Sequence, residues 1–330
     1  MIQFLADGID QLDIALDQLA IRDRNFDRFA LMLIDNVVEL TLHRYAQDRA
    51  SENELWTRLQ KPKFDPKSIE SALGQNFDGK VKLAAKLELL DKAASESILN
   101  LHAFRNTAYH RGLRHERILH SLALFYFIVA CKLLKSFEPR FWSWSSNDTI
   151  SHRARKYLGD VHGMMPEDTF RAAYERLSDV AESMKPNLIE DLTADMSATV
   201  DDTDSAIQFL ADDSPEPVSR DRAVVLAQAW ATAFTEEARA FARDKGHNEE
   251  FVVGRVERLA AEYPWPFKRD PIPGWRTRVA TLGRDTDPHR ALKRYCDFMR
   301  QTETFRATLD EAAAELDGFI QHQIDQARGK

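Results

Sequence analysis

Cysteine is nearly missing from this chain: Cys131 and Cys296 are the only two in 330 residues. Both stand in helical apolar surroundings, which excludes a disulfide framework and a cysteine zinc site, and points to a reduced, cytoplasmic protein. Glycine and proline are scarce at 12 each, so long uninterrupted helices are expected, and no glycine-rich phosphate loop is present. A long apolar run is missing too. The most apolar stretch, Ile118 to Leu134, contains His120, Ser121 and Lys132. It falls short of the roughly 18 residues that a span requires, and reads as a buried core helix rather than a membrane segment. Met1-Ile2-Gln3 leads into an acidic amphipathic segment, not a signal peptide.

What is present fits a globular protein of one large domain or two: 44% hydrophobic and 30% charged residues. The net charge of −8 argues against a general nucleic-acid coating surface. Its distribution is uneven. From His102 to His120 run Arg105, Arg111, Arg114 and Arg117 with four histidines and one acid, Glu116. Such a basic island attracts a phosphate backbone locally. The blander reading is a basic helix face paired with acidic neighbours.

No convincing strand pattern and no repeat appears, so the fold class is all-α. Ile2, Leu5, Ile9, Leu12, Leu16 and Leu19 make a heptad-like seam, better suited to packing on the same chain than to a zipper. A second helix is predicted over 26–47, capped by Asp23 or Asn25, with Phe29, Leu33, Val37 and Leu40 as its stripe. Asp35, Asn36, Glu39 and His43 lie within or beside that stripe. Residues 50–80 read as irregular, and 81–100 and 117–137 as helices. The expected unit over 1–140 is a four- or five-helix bundle.

Residues 141–219 read as a helical connector. Trp142 and Trp144 in it serve better as packing anchors than as base-stacking platforms. The stretch 196–219 reads as an acidic linker, since Pro186 to Ser219 holds nine acids and no lysine or arginine. Residues 220–330 form a second helical region, with helices expected over 220–245, 249–262, 287–302 and 304–327. Between them, Tyr263-Pro264-Trp265-Pro266-Phe267 and Pro271-Ile272-Pro273-Gly274-Trp275 suggest an extended, stiff loop that plugs a gap between helices.

The chemistry concentrates in Arg105-Asn106-Thr107-Ala108-Tyr109-His110. Asn106 and His110 are four apart and share one helix face, with Arg105 beside it. A fixed cation, an amide and an imidazole that titrates near neutrality can engage a phosphodiester. This run resembles the Arg-x4-His motif of the HEPN superfamily, in the variant with asparagine directly after arginine that is associated with RNA cleavage. The resemblance spans residues 20–140 and makes the bundle HEPN-like. It implies a metal-independent endoribonuclease, without cofactor, in phage defence or stress response, with RNA as substrate. It also implies a homodimer, because one histidine does not easily serve both sides of phosphorus and two motifs supply two. Gly112 stands where some members carry a tyrosine modified by an antitoxin, so that control is not expected.

His110 would move protons, Arg105 would stabilise the phosphorane-like transition state, and Asn106 would orient the imidazole or bind phosphate. Tyr109, Arg111 and Arg114 would contact RNA. The helix over 117–137 or the N-terminal seam would drive pairing, and the C-terminal region would take a regulatory protein or nucleic-acid trigger. The alternatives are a non-catalytic HEPN-like nucleotide-binding or scaffold protein, and an adaptor working through the aromatic-proline loop. Arg105 and His110 facing a shared open cleft would favour the nuclease. An ion pair from Arg105 to a distant acid would favour the scaffold.

Overall fold

In the computed structural model the described residues form fourteen α-helices and no strand. Residues 60, 111–116, 144, 146–148, 160–165, 246–251 and 330 lie outside the description, as do the side chains of 59, 108–110 and 166. The chain divides into two units. The first is Met1–Leu192 with Thr286–Lys293, and the second is Thr193–Asp285 with Arg294–Lys330. The expected division runs 1–140, 141–219 and 220–330; within the first unit, the helices between residues 150 and 185 pack on those before residue 140.

The first unit starts with α1 (Ile2–Ile21). Its seam residues Leu5, Ile9, Leu12, Leu16 and Leu19 are all buried, as spacing for same-chain packing requires. Arg22 in the left-handed conformation ends the helix, and the Asp23 carboxylate accepts the Asn25 N–H at 2.9 Å to open the next. That next helix, α2 (Arg24–Leu59), runs a full three turns past its predicted end. Its buried face is Ala30, Leu31, Ile34, Val37, Val38 and Leu42. Phe29 and Leu40 of the predicted stripe are exposed, because α1 and α6 (Leu119–Ser136) clasp the helix from another side.

The interval 50–80 is more ordered than its composition suggests. Asp65 caps α3 (Pro66–Leu73), and Asn76 caps α4 (Phe77–Lys86). Gly79 lets the two meet: a Cβ there would stand 2.6 Å from the Ser71 carbonyl oxygen. The helix predicted over 81–100 is interrupted. Glu88 takes φ 62° and the Leu89 N–H returns to the Ala84 carbonyl. Asp91 then caps α5 (Lys92–His110), accepting from the Ala94 N–H at 2.7 Å.

Helix α6 is long and apolar enough to cross a membrane by length and composition, at 18 residues rather than the shorter run read from sequence. Here 78% of it is buried inside the structure. It packs on α2 and on α8 (Pro166–Ser183), while α7 (His152–Leu158) packs on α1 and α8. Both surfaces expected to drive pairing, the N-terminal seam and the 117–137 helix, are thus used inside the first unit. Trp142 stacks on Phe170 of α8 at 5.7 Å, in the anchoring role. Trp144 lies outside the described residues.

The second unit corrects the linker. Residues 196–212 are helix, the greater part of α9 (Leu188–Asp212). The bases that neutralise its acids come from far along the chain. Arg220 pairs with Asp204 and with Asp270 at 2.7 Å, and Arg276 reaches Asp204 at 2.6 Å. The predicted 220–245 helix divides into α10 (Arg220–Thr232) and α11 (Glu236–Asp244), the latter capped by Thr235. Next come α12 (Val252–Glu262) and α13 (Ile272–Gly283). The second half of the proline-rich segment therefore starts a helix, where a missing N–H is harmless. Trp265 and Trp275 are buried. The two predicted C-terminal helices are one, α14 (Pro288–Ala327), with the Thr302 hydroxyl bonded back to the Phe298 carbonyl at 2.9 Å.

Candidate functional site

Asp35 sits on α2 among apolar neighbours and is 0% exposed. A buried carboxylate requires donors from every side. Tyr126 on α6 donates its hydroxyl at 2.8 Å. His102 on α5 places Nδ1 3.0 and 3.1 Å from the two carboxylate oxygens. Arg105, one turn further along α5, brings Nε to 3.2 Å. Burial, then the Asp35 charge, pushes the Tyr126 hydroxyl well above its ordinary range, so it remains a donor.

Two of these groups are held a second time. The His102 ring lies flat on Phe77 of α4, with centroids 3.8 Å apart and planes within 6°. The Asn106 side-chain oxygen accepts from Arg105 Nη1 at 2.9 Å. Asn106 therefore orients the guanidinium, a contact other than the imidazole or phosphate expected for it, and its –NH₂ remains as a donor group. A carboxylate only accepts, so His102 Nδ1 is the donor of this pair. Its side chain is 17% exposed and that of Arg105 30%, so neither is sealed in.

Tyr109 and His110 are the last two residues of α5, and their side chains lie outside the description. Arg111 and Arg114 lie outside it entirely. The structure thus brings Arg105 and Asn106 together, and puts His110 on the same helix. Three described members of the basic island meet acids: His102 and Arg105 meet Asp35, and His120 Nδ1 meets Asp27 at 2.7 Å, while Arg117 is exposed. The Arg105–Asp35 pair is also the ion pair to a distant acid that counts toward a scaffold.

Sequence reasoning did not single out Asp35, His102 or Tyr126 as site residues. Signals were there: a carboxylate inside an apolar stripe, and a histidine four residues before Asn106 on the same face. Apart from these residues, the surface of α2 facing α3 and α4 holds an open groove of about 360 Å³ lined by Asn36, Glu39, His43, Leu73 and Lys80. Lys80 is buried there, donating to the Gly74 carbonyl at 2.8 Å and 3.5 Å from Glu39. Among the described residues no group of three or more His, Cys, Asp or Glu side chains is arranged to hold a metal ion. No protein-family model, curated protein or solved structure matches the chain.

Proposed function

We propose that this chain is a metal-independent endoribonuclease of HEPN type, cytoplasmic, working in phage defence or stress response. One observation supports the reading above others. Arg105 and Asn106, the first two residues of the motif, are bonded to each other at 2.9 Å on α5, the helix that also carries His110. A preoriented planar cation beside an imidazole suits a transferring phosphoryl group, whose charge must be met without reorganisation. The 2′-hydroxyl attacks its own phosphate, the 5′-oxygen leaves, and imidazole carries the proton. RNA is the partner. The homodimer belongs to the proposal by resemblance, and the second unit is assigned recognition of a trigger or regulator.

A second reading is a non-catalytic HEPN-like nucleotide-binding or scaffold protein. The Arg105–Asp35 ion pair favours it, since a guanidinium neutralised by Asp35 has less charge to offer a phosphate. The adaptor reading has less support, because Trp265 and Trp275 of the proline-rich segment are core residues.

The test incubates total RNA with the full chain in chelator, wild type beside His110→Ala. Cleavage by wild type, lost in the variant and blocked by 2′-deoxy substitution at the cut, supports the nuclease. Intact RNA with bound nucleotide supports the scaffold.

A further inference from the structure

The N-terminal seam and the helix over 117–137 pack inside the first unit, yet α2 keeps an apolar face in solvent. Phe26, Phe29, Leu33, Asn36 and Leu40 follow one another at intervals of three and four, the spacing of a helix seam. Phe29 is 55% exposed, Leu40 42% and Phe26 37%, and Leu33 is half-buried. We propose that this face of α2 docks a second copy of the chain, with the two α2 helices antiparallel. The ribonuclease reading takes its homodimer from resemblance alone; this surface gives that homodimer a place, and to that extent rests on the same reading.

The face is self-complementary. At one end Phe26 and Phe29 form an aromatic pair, with ring centroids 6.5 Å apart. At the other, Leu40 and Leu73 of α3 line the open groove of about 360 Å³, and both are exposed. Phe29 precedes Leu40 by eleven residues, which is ~16 Å along the helix axis. A two-fold axis beside the middle of that interval, near residues 33–36, sets Phe29 of each copy against Leu40 and Leu73 of the other. One pairing then occurs twice and closes the assembly at two. Parallel pairing would instead put Phe29 on Phe29 and leave both grooves empty. Asn36, the polar position of the seam, donates to the Gln11 side chain at 2.7 Å, so its amide stays partnered when covered.

Area and charge favour a second copy as the occupant. With Ile21, exposed where α1 turns into α2, the patch offers roughly 400 Å² of apolar surface, close to the non-polar share of the ~800 Å² that each partner gives to a standard interface. A chain of net charge −8 repels its own copies, so they meet best where uncharged residues face each other. The seam carries no charge, and Glu39, the one acid lining the groove, stands 3.5 Å from Lys80 Nζ. A surface helix ordinarily turns polar residues outward. Two phenylalanines and a leucine along one outer face call for a cover.

The test measures the mass of the full chain by sedimentation equilibrium over a range of concentrations, with thermal melting as the control for folding. Wild type is expected to form a dimer. Phe29→Asp and Leu40→Asp, at exposed positions, should still fold and should raise the dissociation constant by ~100-fold or more, since symmetry applies each change twice. Phe234→Asp, at an exposed phenylalanine of the second unit, should leave it unchanged. Phe29→Cys combined with Leu73→Cys in one chain should give a disulfide-linked dimer under mild oxidation, and Phe29→Cys alone should not. Cys131 and Cys296 are buried and stay out of that reaction. A wild type still monomeric at about 100 μM overturns the proposal. So does a dimer that Phe29→Asp and Leu40→Asp leave intact, or cross-linking by Phe29→Cys alone. A monomer that cuts RNA in chelator leaves the ribonuclease reading standing without this surface. A dimer through α2 that cuts none removes that reading and keeps the surface.

Discussion

The Tyr126 hydroxyl donates to Asp35 at 2.8 Å, across 91 residues of sequence and inside the core of the first unit. That contact joins α6 to α2 at the point where α5 brings His102 and Arg105 to the same carboxylate. The candidate site is therefore built on a structural polar core, and the two roles separate by substitution.

Removing the carboxylate should cost more than removing one donor. Asp35→Ala leaves the Tyr126 hydroxyl and an imidazole without their acceptor and removes the counter-charge of Arg105, and should destabilise by about 3–5 kcal/mol. Tyr126→Phe removes one hydrogen bond and should cost about 1 kcal/mol. Urea unfolding of both variants checks the order. Equal, small effects would show that Asp35 does not anchor the three helices.

Acid should loosen the contact between α1 and α7. Burial raises the Asp13 carboxyl, but hydrogen bonds from Tyr157, Lys156 and Arg153 outweigh it and leave the group below its ordinary value of 3.8. A lowered carboxyl lends stability that is present above the unfolded value and lost as pH falls through the folded one. Wild type should lose thermal stability steeply below about pH 4. Asp13→Asn should start lower and fall less across that range. Parallel curves would contradict the assignment.

His289 should give a second, milder pH dependence. Burial holds it below the ordinary imidazole value of 6.5, beside the Ser97 hydroxyl at 2.7 Å and the edge of Phe125. A histidine kept neutral lends stability above its unfolded value, lost as pH falls through the folded one. Melting temperature should therefore drop from pH 7 to about pH 5 in wild type, and less in His289→Gln. An identical drop in both would place the dependence elsewhere.

The second unit offers two checks on its own packing. Trp265 is 6% exposed and donates Nε1–H to the Leu259 carbonyl at 2.8 Å. Trp265→Ala should cost about 3–5 kcal/mol, read as a lower melting temperature.

The acidic stretch should resist an acid-specific protease through Asp212, since 196–212 is helix. Arg220→Ala should expose it, because Arg220 ties Asp204, Asp270 and Gln208 together. Cutting within 196–212 of the wild type as readily as in the variant would contradict the ion pairs as its restraint.

Local rules carried much of the architecture. The seam from Leu5 to Leu19, the cap at Asp23 and the apolar helix before Ser136 are short-range patterns, in which each residue's role follows from neighbours three or four positions away. The same rules failed where distant partners decided. The stretch 196–212 looked like linker because its counter-charges, Arg220 and Arg276, come from later helices. Phe29 and Leu40 looked buried because periodicity finds an apolar stripe without saying which neighbours cover it.

For the site, the sequence by itself determined that Asn106 and His110 stand four positions apart on one helix, with Arg105 directly before Asn106. Only tertiary structure decided that Asp35 reaches Arg105 and His102, and that Phe77 lies flat on the imidazole. Those meetings depend on how α2, α4, α5 and α6 pack. Helix packing sums many weak long-range contacts, and no single segment's pattern contains it.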